Sequence, residues 1–106
     1  MKVEDVLELP AVPVVMNNIF KIRESDVSTI CSTFDWNESV FKDKFIQIMM
    51  RENIKVKQAN LTLSFVLERS REPLADYYEG DFMYKFIVDC LVMTGVYYSN
   101  ISKEED

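Results

Sequence analysis

The chain of 106 residues contains no histidine. That removes the commonest general base, the usual hydrolase triads and most zinc sites. Two cysteines without a histidine cannot complete a standard structural zinc site. Two glycines are too few for a G-x-G-x-x-G loop, a G-x-x-x-x-G-K-S/T loop or a nucleophile elbow, and none occurs. Glycine and proline together number five, which argues against low complexity or a disordered linker. Long apolar runs are missing too. Phe82 to Met93 is the most apolar stretch, and Lys85 and Asp89 interrupt it. A membrane helix needs about 18 such residues or more, so no membrane partner is expected. No cofactor or metal is expected either.

What remains is a globular composition, 48% hydrophobic and 28% charged, with net charge −6. The length fits one domain. We place it at residues 1–98, with 99–106 as a flexible acidic tail. "MKVEDVLELP" carries acids where a secretory leader would be apolar, which points to a cytoplasmic protein. Two reduced, buried thiols at Cys31 and Cys90 fit that location better than a disulfide. The N-x-S/T triplets at Asn37, Asn60 and Asn100 then carry no meaning.

The charges run acidic, basic, acidic. Residues 39–71 hold Lys42, Lys44, Arg51, Lys55, Lys57, Arg69 and Arg71 against three acids. Pairing between neighbouring helices explains this order better than a phosphate-binding surface. Acidic flanks would repel nucleic acid, which is not an expected partner.

Periodicity sets the fold expectation: a mainly α domain of three to four helices with a short N-terminal β-hairpin. The hairpin would turn at Met16-Asn17-Asn18, because asparagine tolerates positive φ, with Pro13 on an edge strand. Val27, Ile30, Cys31 and Phe34 share one helical face behind a Ser25 cap. Phe41, Phe45, Ile48 and Met49 form the next stripe, capped by Asp35 or Asn37 and stopped near Asn53. Residues 54–69 fit a strand through Leu61, Leu63, Phe65 and Leu67. They also fit a helix through Ala59, Leu63, Val66 and Leu67, which helical neighbours favour. The last helix starts at an Asp81 cap, pairs Lys85 with Asp89, and ends at a left-handed Gly95. Apolar almost all round, it should lie at the centre of the core.

Carboxylate hydrolysis is the one enzyme route left open. Asp76, Glu79 and Asp81 cluster before the last helix, but such acids are ordinarily caps and dipole partners. A hydrolytic pair would need fixed geometry and one raised pKa. We therefore expect no enzyme and no catalytic residues. The candidate partner-binding residues are Tyr77, Tyr78, Phe82, Tyr97 and Tyr98, near the ends of the last helix. Tyrosine offers an apolar ring with a polar tip and is enriched at interfaces; closing the core is the competing role.

Three stretches resemble a known family. "LPAVPVVMNNIFKIRES" is similar to the hairpin and Arg-Glu helix start of tailed-phage tail assembly chaperones. "ANLTLSFVLERSREPL" matches the place of their central apolar segment. "LVMTGVYYSNISKEED" is similar to their final helix, its Ser/Thr-Gly turn and its polar tail. The match covers most of the chain in order, with short motifs. The chain lacks the Leu-Thr pair after Arg-Glu, and its last helix is unusually apolar. The resemblance implies a helical, non-catalytic, self-associating chaperone that binds the tape measure protein and tail tube subunits. The competing expectation is a small acidic inhibitor of a host or defence protein, acting on a protein surface or as a DNA mimic.

Overall fold

A computed structural model describes residues 3–72 and 81–105, with side chains for 13–72 and 81–97. Five helices follow one another: α1 (Val3–Ile22), α2 (Glu24–Phe34), α3 (Glu38–Arg51), α4 (Val56–Ser70) and α5 (Phe82–Glu105). There is no strand among the described residues.

The expected N-terminal hairpin is therefore wrong. Met16, Ile19 and Phe20 are all buried, a spacing that one helical face provides and alternation does not. Asn17 and Asn18, read as a turn, face solvent from the helix. Pro10 and Pro13 lie within α1, each withholding one backbone donor from it.

With so few glycines, the chain makes its left-handed turns from Asx residues. Asp35 closes α2 at φ 56° and Asn53 follows α3 at φ 54°. Both tolerate this region better than most residues. Each turn returns a following amide to the helix: Trp36 N–H donates to Cys31 O at 2.8 Å, and Ile54 N–H to Met49 O at 2.9 Å. Asn37 caps α3 by accepting from the Val40 amide at 3.1 Å. Asp35 thus ends one helix while Asn37 starts the next. The α1–α2 junction at Arg23 is nearly continuous, with Arg23 N–H donating to Ile19 O and Val27 N–H to Arg23 O, each at 3.0 Å.

The core joins Met16, Ile19 and Phe20 of α1 to Val27, Ile30 and Cys31 of α2 and the expected stripe Phe41, Phe45, Ile48 and Met49 of α3. Ala59, Leu63 and Val66 of α4 complete it with Phe86, Ile87 and Cys90 of α5. The helical alternative for residues 54–69 is the one adopted.

α4 packs against α1, α2 and α5 and is the more central helix. α5 packs mainly on α4 and α3. Only its first turns also meet α2, where Phe34 lies 5.2 Å from the Phe86 ring. Gly95 does not end α5 but lies within it. The last helix is thus core along one side and uncovered along the other.

Candidate functional site

α5 begins on well-fixed chemistry. Asp81 accepts from the Tyr84 amide at 3.1 Å and from the Lys44 ammonium. The hydrogen bond from Lys44, then that from the Tyr84 amide, holds its carboxyl below the ordinary value. Asp81 is therefore a cap and an ion-pair partner across helices; Asp76 and Glu79 lie outside the described residues. One turn on, Arg51 donates to the Tyr84 hydroxyl, with its guanidinium 5.1 Å from the ring centre.

Phe82 is half-buried in an aromatic cluster, 5.3 Å from Phe34 and 5.7 Å from both Trp36 and Phe86. Its ring serves packing. Tyr97 sits 15 residues further on, about 22 Å along the helix axis at 1.5 Å per residue. It is 46% exposed and meets the Phe65 ring edge-on at 6.5 Å. Phe82 and Tyr97 accordingly do not share a patch. Tyr77 and Tyr78 lie outside the described residues, as does the side chain of Tyr98.

The structure brings together a different set around Tyr97. On α5, Thr94 faces inward at 1% exposure, while Val92 is 60%, Met93 37% and Val96 56% exposed. From Val88 to Tyr97 the only charged residue is Asp89. α4 and α5 run in opposite directions: Arg69 late in α4 lies over the ring of Phe86 early in α5, while Gln58 shares a groove with Gly95. Two grooves flank this end of the pair. One, of about 510 Å³, is lined by Ile22, Leu61 and Tyr97, with Arg23, Lys57, Asn60 and Ser64. The other, of about 260 Å³, runs along Ile54, Val88, Leu91, Val92 and Gly95, edged by Glu52, Gln58 and Thr94.

Arg23 fixes the first groove. Its guanidinium donates to Asn60 O at 2.7 Å, to Asn60 Oδ1 at 3.0 Å and to Ser64 Oγ at 2.8 Å, and pairs with Asp26 at 3.0 Å. These bonds tie the α1–α2 junction to α4 and leave Ile22 standing out at 85% exposure. Sequence reasoning found Tyr97 here but missed Ile22, Leu61, Val92 and Val96. An all-round apolar helix reads as core unless the number of neighbours available to cover it is known.

No group of three metal-binding side chains exists among the described residues. No described helix is long and apolar enough to cross a membrane. The chain matches no protein-family model, no curated protein and no solved structure.

Proposed function

We propose that the protein is a non-catalytic binding domain that engages another protein through the outer face of α5. One observation carries this reading: Val92, Met93, Val96 and Tyr97 are exposed together on a single helix face. Scattered exposed apolar residues need no explanation, but a contiguous set beside two grooves is characteristic of an interaction surface. Burial on binding would supply the main driving force, with an aromatic anchor at Tyr97.

The test is capture from the cells that make the protein, with the native chain and a Val92→Glu/Val96→Glu variant side by side. A stoichiometric protein held by the native chain and lost from the variant, at equal melting temperature, supports the reading. Identical recovery with both chains refutes it. A tape measure or tail tube subunit would extend the reading to the tail assembly chaperones. That extension rests on sequence resemblance alone, and the hairpin and the glycine turn it implies are both replaced by helix. A host enzyme would favour the inhibitor.

A further inference from the structure

Two lysines at the start of α4 have no side-chain partner among the described residues, and one of them, Lys57, lines the Tyr97 groove. Lys55 and Lys57 open α4, are both exposed, and form no ion pair there. Several other cations of the basic stretch are engaged. Lys44 meets Asp81, Arg51 meets Tyr84 and Glu52, and Lys42 lies 5.9 Å over the Phe20 ring. No acid occurs from Asn53 to Leu67. The first turn of α4 likewise carries none, although a helix start favours negative charge and disfavours lysine. The fold makes no use of these two charges. In a chain of net charge −6, the unpaired Lys57 thus lines the groove with Ile22, Leu61 and Tyr97.

We propose that the Tyr97 groove docks an amphipathic helix of a partner protein, one that flanks its apolar stripe with carboxylates. This rests on the protein-binding reading and names the chemistry of the partner. Ile22, Leu61 and Tyr97 receive apolar side chains spaced at one helical face, the usual geometry of a helix laid in a groove. Lys57 on the groove wall meets the flanking acids, with Lys55 two residues before it at the start of α4. Their charges act within a Debye length of about 8 Å at physiological salt, so they select the partner locally despite the acidity of the whole chain. Arg23, already paired with Asp26, holds the groove open instead of reading charge.

The test uses the full chain and two labelled helical peptides with the same leucine stripe at i, i+3, i+4 and i+7. One is flanked by glutamates, its twin by lysines, and binding is followed by fluorescence anisotropy. The glutamate peptide should bind at least about tenfold tighter, roughly 1.4 kcal/mol. A Lys55→Glu/Lys57→Glu variant should invert that order without a change in melting temperature. Tyr97→Ala should weaken the glutamate peptide by about tenfold or more. Equal binding of the twins, or an order that the lysine variant leaves unchanged, overturns the proposal while leaving a protein-binding face in place. Binding of neither peptide overturns it too, and so does self-association of the chain that masks Tyr97. Capture that the Val92→Glu/Val96→Glu pair does not affect is a separate failure, that of the binding face itself.

Discussion

The hydroxyls of Thr62 and Thr94 meet at 2.9 Å in the seam between α4 and α5, where both residues are almost fully buried. Each hydroxyl also lies within reach of a carbonyl in its own helix, Thr62 with Gln58 O at 2.7 Å and Thr94 with Cys90 O at 3.0 Å. Two protons serve three contacts, so one proton is shared or one carbonyl is released. Neither hydroxyl is orphaned when the other is removed. Thr62→Val and Thr94→Val should each cost no more than about 1 kcal/mol, and the double variant should be close to neutral. Urea unfolding of the four chains checks this. A loss above about 2 kcal/mol for either single change would mean that the hydroxyl pair itself sets the register of the two helices.

At the opposite end of α5, Asp81 carries both the cap and the contact with Lys44. Its folded carboxyl lies below the ordinary value of 3.8, first because of the Lys44 hydrogen bond and then the Tyr84 amide. A depressed carboxylate contributes stability that is complete above its unfolded pKa and disappears as pH falls through the folded one. Asp81→Ala should therefore cost about 1 kcal/mol near neutrality, the usual loss of a helix cap. The gap to the native chain should narrow in acid, below the lowered pKa, where the protonated carboxyl keeps an acceptor for the Tyr84 amide but loses its charge contact with Lys44. Asp81→Asn keeps an acceptor for the Tyr84 amide and should lie between them. Denaturant titrations at both pH values measure the gap; one that persists unchanged in acid would count against a role for the charge.

Burial pushes the Cys31 thiol from 9.0 to about 11 and the Cys90 thiol to about 12. Glu38 adds to the shift at Cys31, while Arg69 opposes it at Cys90. An unfolded chain would ionise both near 9, so above that pH the folded state retains protons that the unfolded state releases. Stability should fall as pH rises from about 9 towards 11–12. A Cys31→Ala/Cys90→Ala chain starts less stable, because two buried side chains are truncated, but its alkaline slope should be flatter. Thiol-reactive dye at pH 8 should label the native protein only at the rate of unfolding. Rapid labelling of both cysteines would contradict their burial.

α2 and α3 were legible because apolar stripes coincide with local stop and start chemistry. Phe41, Phe45, Ile48 and Met49 lie between a cap at Asn37 and a left-handed Asn53, and all four are core. α1 was misread because an Asn-Asn pair favours a turn locally, whereas burial of Met16 with Ile19 and Phe20 is decided by α3 and α4, far away in sequence. The site was misread for a related reason. Apolar content on α5 says that many faces could be buried, but only packing shows that α3 and α4 cover one of them. The split of the basic residues into engaged Lys44 and Arg51 and unpaired Lys55 and Lys57 likewise depends on which acid or ring lies across a helix boundary.

Gly95 offers a way to separate the folding and binding roles of that uncovered face. It lies inside α5, and a Cβ built on it would meet nothing within 4 Å. A helical interior position therefore carries a residue that costs about 0.5–1 kcal/mol relative to alanine, with no contact among the described residues to require it. Gly95→Ala should raise stability by that amount and the melting temperature by several degrees. If the groove along Ile54, Leu91 and Val92 also admits a close neighbour, the added methyl group should at the same time weaken partner capture. A gain in stability with capture unchanged would confine the interface to the Tyr97 side of α5. A loss of stability would mean that the helix around Gly95 is packed more tightly than its open surroundings indicate.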